Sequence, residues 1–161
     1  TVREKLPPGF QRAEFLMEKG VKLEGVTGTR YMYHDPCHTP MKMQDSVKTV
    51  KALVGPQVTK SDRCCGESGM FAVKRPDIAT QVKFRKQEEI EKNLKELPQG
   101  EPVKMLTSCP ACLQGLSRYA DDNDMPADYI VIEMAKHILG ENWLDEFVKK
   151  ANNGGVEKVL L

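Results

Sequence analysis

Three groups of cysteines, each placed directly after a segment with the pattern of a β-strand, constrain this chain more than any other feature. Cys37 follows Arg30 to His34 (RYMYH), a short aromatic-rich run closed by Asp35-Pro36. Cys64 and Cys65 follow a weaker extended segment, Gln57 to Asp62, and Cys109 with Cys112 follows Val103 to Thr107 (VKMLT). Between these segments lie helical patterns. Ser46 is placed to cap a helix through Val47, Val50 and Val54, ended by Gly55-Pro56. The longest helix is expected to start at Pro76-Asp77 and end near Pro98 to Gly100, with Ile78, Val82, Ile90, Leu94 and Leu97 as a stripe interrupted by Lys86. Another follows from Pro110 toward Tyr119.

Strands alternating with helices predict an α/β domain with a mostly parallel sheet flanked by helices. In such sheets the loops after the strand C-termini line one edge, where these folds bind ligands. The three cysteine groups are therefore expected in one crevice. The rest of the chain is read as a short helix over Phe10 to Lys19, an acidic loop at Asp121 to Asp124, helices near Asp128 to Leu139 and Glu141 to Ala151, and a final strand at Val156 to Leu161.

Composition narrows the function class. The chain has 161 residues, 40% apolar and 29% charged, as an ordinary globular domain does. A net charge of +1 gives no reason to propose nucleic acid as a partner. No apolar run approaches the roughly 20 residues of a transmembrane helix. The five cysteines are odd in number and two are adjacent, which argues against an exported disulfide framework and for thiols kept free in the cytoplasm. The start at Thr1 has no apolar leader, and we expect one domain, residues 1–161, belonging to a longer chain.

The local motifs indicate what the crevice holds. Cys109-Pro110-Ala111-Cys112 lets two thiolates reach one metal centre, whereas the adjacent Cys64 and Cys65 diverge and suit different atoms of a polynuclear centre. Gly66 is expected to let the backbone approach a bulky inorganic core. Soft thiolates select iron–sulfur clusters or zinc. Structural zinc usually takes two CxxC pairs, and a redox dithiol needs two cysteines alone, so iron–sulfur is the first reading and zinc the alternative. A thiol–disulfide oxidoreductase acting through Cys109 and Cys112 is a third reading.

Taken together, Asp35-Pro36-Cys37-His38, Cys64-Cys65-Gly66-Glu67-Ser68-Gly69 and Ser108-Cys109-Pro110-Ala111-Cys112 resemble the cysteine-rich "CCG" domain, over about Tyr31 to Tyr119. That domain occurs in heterodisulfide reductase and in iron–sulfur subunits of glycolate oxidase, anaerobic glycerol-3-phosphate dehydrogenase and lactate-oxidising complexes. The resemblance implies a 4Fe-4S cluster, noncubane in heterodisulfide reductase, ligated by Cys37, Cys64, Cys65, Cys109 and Cys112. It also implies electron transfer between a flavin dehydrogenase domain or subunit carrying FAD and an acceptor: a quinone, a disulfide or a carrier protein. A cytoplasmic module is implied, peripheral to the inner membrane through its partners. The tail from Gly140-Glu141-Asn142-Trp143 onward resembles the C-terminal end of a large bacterial FAD-linked oxidase. The family usually carries two copies of the module and this chain holds one, as a piece of a longer protein would. The alternative class is a zinc-stabilised structural or docking domain without redox activity.

Other residues have ordinary roles to weigh. His34 and His38 flank Cys37, where histidines more often hold a turn than ligate. His137 is expected to pack, Met41 and Met43 to fill core or shield a cluster, Arg63 and Arg118 to be surface or charge-balancing residues, and Glu67 and Ser68 to hydrogen-bond cluster sulfides.

Overall fold

The computed structural model describes residues 12–24, 26, 28–39, 41, 44–67 and 70–154. Its centre is a four-stranded sheet in the order β2-β1-β3-β4, with every pairing parallel. The strands are β1 (Arg30–His34), β2 (Val58–Ser61), β3 (Val103–Thr107) and β4 (Ala127–Tyr129). The chain runs from β1 outward to β2, then returns to place β3 on the other side of β1. Helices cover both faces: α1 (Arg12–Glu18), α2 (Ser46–Val54), α3 (Phe71–Lys74), α4 (Pro76–Glu96), α5 (Pro110–Leu116), α6 (Ala120–Asn123), α7 (Ile130–Leu139) and α8 (Trp143–Asn152). A 3-10 turn, Ser117–Tyr119, joins α5 to α6.

The central strands are buried on both faces, and strand alternation sorts their side chains into two cores. Tyr31, Tyr33 and Leu106 pack with Ala13, Val50, Leu53, Val54, Ile130 and Met134 beneath α1, α2 and α7. Met32 and Met105 face the opposite way, toward Ile90, Leu116, Tyr119 and Met125 under α4 and α5, and that core includes Cys65 and Cys112. His34 follows Met32 by two residues on β1 and so shares the cysteine-bearing face.

Several sequence expectations shift by a residue or change kind. Asp45, not Ser46, caps α2, its Oδ1 accepting from the Lys48 amide at 2.7 Å. The acidic run expected as a loop forms α6, which ends with Asp124 in the left-handed region (φ 47°). Residues expected to open the helix at Asp128 instead pair as β4 with Met105 to Thr107, and the helix begins at Ile130. Nothing local marks so short a strand; the exposed edge of β3 recruits it. On α4, Ile90, Leu94 and Leu97 face the core as expected, but Lys86 lies inside and Ile78 outside. Phe10 and the strand expected at 156–161 lie outside the described residues.

On the α7 side, the Glu133 carboxylate accepts from the Tyr31 hydroxyl at 2.9 Å and from Lys104 Nζ at 2.5 Å, with His137 Nε2 at 3.3 Å. His137 thus belongs to a polar network rather than to apolar packing. Burial pushes the Glu133 carboxyl up, but Lys104 and Tyr31 outweigh it and hold the group below its ordinary value of 4.5. A depressed folded pKa contributes stability that is present above pH 4.5 and lost as pH falls through the folded value. Glu133→Gln is expected to lower unfolding free energy at neutral pH by about 1–3 kcal/mol and to flatten the acid loss, as measured by urea denaturation across pH. In the same core, Leu106→Ala is expected to cost about 2–5 kcal/mol with an unchanged denaturant slope.

Candidate metal centre

The sheet order places a topological switch point between β1 and β3, where successive connections leave in opposite directions and the loops part. The three cysteine groups sit in the loops after β1, β2 and β3, at that edge. Cys37 Sγ lies 3.7 Å from Cys64 Sγ, and Cys65 Sγ lies 3.4 Å from Cys112 Sγ. Residues 27 and 47 apart in sequence are brought together in these two pairs. All five cysteines are free thiols, graded from exposed Cys37 through half-buried Cys64 and Cys109 to buried Cys65 and Cys112.

Each loop is fixed by identifiable contacts. After β1, Asp35 accepts from the Tyr33 hydroxyl at 3.2 Å and from Ser46 Oγ at 2.7 Å, tying the Cys37 loop to β1 and α2. Ser46, displaced from its expected capping role, serves here. Beyond β2, Lys86 reaches from α4 into the protein with no exposed surface. Its Nζ donates to Ser61 Oγ at 2.6 Å, to Glu89 Oε2 at 2.7 Å and to the Asp62 carbonyl. Glu89 in turn accepts from the Asp62 amide at 3.0 Å and from Asn93. This clamp holds the strand end that feeds Cys64 and Cys65. Burial pushes the Lys86 ammonium down, and Glu89 opposes it.

The cysteine pair itself turns through two left-handed residues, Arg63 (φ 55°) and Gly66 (φ 75°). Gly66 is required by that conformation, and a Cβ there would press on Val82 of α4 at 3.3 Å. It makes the turn against α4, and its amide donates to Cys64 Sγ at 3.3 Å. Glu67 pairs with Arg118 through two contacts, one at 3.0 Å, which pins the loop to the 3-10 turn. Ser68 lies outside the described residues. Gly115 on α5 lets the helix close on this loop, since a Cβ would stand 3.2 Å from the Cys65 carbonyl oxygen. Beyond β3, Cys109 occupies the N-cap position of α5, and Cys112 lies one turn further on its buried side.

The thiols are electrostatically coupled. The Cys65 thiol is held below its ordinary range, chiefly by the hydrogen bond shared with Cys112; burial works against this, while His34 and the Glu67 amide reinforce it. Cys112 is pushed up by the same shared hydrogen bond and by burial, and burial also raises Cys64. Two buried sulfurs this close cannot both carry charge without a cation between them, so the pair holds its proton until a metal displaces it.

His34 adds a donor that sequence reasoning ranked below the cysteines. A ring nitrogen and the Cys65 and Cys112 sulfurs lie within 4.8 Å of one another, and all three residues are buried. Both His34 ring nitrogens are buried without a nitrogen or oxygen partner, and the ring faces the Cys65 sulfur. Its position on the face shared with Met32 is the signal that strand alternation offers. Thiolate and imidazole donors converging on one buried point fit a soft metal centre. His38, by contrast, is exposed.

No helix among the described residues is long and apolar enough to cross a membrane. No solved structure gives a significant match to the chain. The family model described as Domain of unknown function (DUF3400) matches residues 117–161. The model described as Cysteine-rich domain, CCG, matches residues 31–117, more than half of the chain and the whole of the cysteine-bearing edge. With its cysteines gathered after three parallel strands, the chain belongs to the CCG cysteine-rich domain family.

Proposed function

We propose that this chain is the iron–sulfur electron-transfer module of a flavin-linked oxidoreductase, with Cys37, Cys64, Cys65, Cys109 and Cys112 as the ligands of one 4Fe-4S cluster. The observation that supports it is the meeting of two sulfur pairs from three loops, at 3.7 Å and 3.4 Å, at the switch point of a parallel sheet. A mononuclear ion fills four positions, so five cysteines at one edge suit a polynuclear centre better. A bound cluster would supply one-electron chemistry, and the residues set its surroundings. Cys65 and Cys112 anchor its dry side, while the exposed Cys37 and half-buried Cys64 lie where a redox partner approaches.

The partners follow from the family resemblance: a flavin dehydrogenase domain or subunit as donor, and a quinone, a disulfide or a carrier protein as acceptor. We read residues 1–161 as one such module of a longer FAD-linked oxidase, cytoplasmic and attached to the inner membrane through its partners. Ile130 and Met134, in the segment matched by the second family model, pack into the same core as Tyr31 and Leu106, which supports a single unit.

A second reading has its own observation. His34, Cys65 and Cys112 together form the start of a zinc site, and a zinc-stabilised docking domain would use it without redox chemistry. Anaerobic purification separates the two. The electron-transfer reading predicts brown protein with about four iron atoms and about four sulfides per chain; colourless protein with zinc and no sulfide would overturn it. Cys112→Ser or Cys65→Ser is expected to lower cluster retention at least about tenfold. In the cluster-free protein, timed alkylation followed by mass mapping should label the exposed Cys37 before the buried Cys65 and Cys112. A thiol–disulfide oxidoreductase would instead keep its activity after Cys64→Ser.

A further inference from the structure

Among the described residues at this edge, His34 is a buried side chain able to ligate a metal that the five cysteine ligands leave unused. It ends β1, paired in register with Thr107 of β3 and Ser61 of β2. Its side chain is about 1% exposed, and neither ring nitrogen has a nitrogen or oxygen partner; the ring faces the Cys65 sulfur, whose pKa it lowers. A neutral imidazole carries one donor and one acceptor, and leaving such groups unsatisfied in a buried place is unfavourable. The neighbouring Thr107 hydroxyl is likewise buried without a partner. Two such side chains, paired across β1 and β3, therefore stand at the strand ends that lead to the cysteine loops.

A metal atom resolves the imbalance. Tetrahedral bonds of about 2.3 Å to sulfur and about 2.0–2.1 Å to nitrogen place neighbouring ligand atoms about 3.5–3.8 Å apart. The Cys65–Cys112 separation of 3.4 Å and the 4.8 Å limit on all three atoms bracket that spacing. A hydrogen bond from His34 to the Cys65 sulfur uses one nitrogen only and leaves the other unsatisfied.

We infer that His34 is a protein ligand of the metal centre, its imidazole nitrogen sharing one buried metal atom with Cys65 and Cys112. This rests on the metal-centre reading above and adds a sixth donor to its five. The cysteine pattern does not reveal it, because His34 stands three residues before Cys37 inside a strand. Its consequence is electronic: a neutral imidazole adds a donor without adding negative charge, so it holds the reduction potential above that of the same centre with a thiolate in its place. Replacing His34 with cysteine should therefore shift the midpoint to more negative values.

The test uses the full chain with 15N-labelled histidine, loaded anaerobically with iron and sulfide and, in a parallel sample, with Co2+ alone. Pulsed electron paramagnetic resonance of the unlabelled protein should find one strongly coupled histidine nitrogen, and labelling should convert its 14N signal to 15N. His38→Gln should retain the coupling and His34→Gln should lose it. Co2+ affinity should fall at least about tenfold in His34→Gln. A centre that forms without strong histidine coupling overturns the inference and leaves the five-cysteine cluster standing, and the unsubstituted protein alone decides this even where His34→Gln fails to fold. Strong coupling seen with Co2+ but no assembled iron–sulfur centre supports His34 as a ligand and overturns the electron-transfer reading. A chain that binds neither iron–sulfur nor Co2+ overturns both.

Discussion

The parallel pairing of β1 with β3, in register from Arg30 with Val103 to His34 with Thr107, underlies the other features of the molecule. Because both strands run the same way and the chain reverses its direction of travel between them, their following loops open at the same edge and part there. The register also fixes faces. Tyr31, Tyr33 and Leu106 supply one core, while Met32, Met105 and His34 turn to the other. A slip of one residue would exchange the faces and carry His34 away from Cys65 and Cys112.

Holding thiols together without a metal has an electrostatic cost, and the surrounding structure offsets it by fixing the loops rather than by neutralising the sulfurs. The Lys86–Glu89 clamp stops β2 from drawing back, Asp35 holds the Cys37 loop between Tyr33 and Ser46, and Glu67 with Arg118 closes the third side. What polar contacts add is direction: they permit one arrangement of the loop, where apolar packing tolerates several. The arrangement presents two buried and three more accessible sulfurs, an asymmetry suited to a centre with an anchored side and an open side.

Much of this was legible in the residues. The strand after which each cysteine group falls, the long helix from Pro76, and the convergence at the strand ends all follow from short-range pattern plus the rules of parallel sheets. What stayed hidden has long-range causes. The three-residue β4 exists through pairing with β3 and carries no alternation of its own. Lys86 reads as an interruption of an apolar stripe, because its partners Ser61 and Asp62 lie 25 and 24 residues earlier. Gly66 reads as room for an inorganic core, and its positive φ and the nearness of Val82 add a demand the sequence does not reveal, the turn against α4. His34 reads as a turn residue until the register of β1 shows which face it occupies.

The central claim is spatial: five sulfurs from three loops meet around one inorganic centre. Anomalous diffraction at the iron absorption edge, from crystals of anaerobically prepared protein, addresses it without recourse to activity. The expected result is a single compact anomalous feature bonded to the sulfurs of Cys37, Cys64, Cys65, Cys109 and Cys112. An iron signal touching only some of them, with the remaining cysteines pointing elsewhere as free thiols, would contradict it.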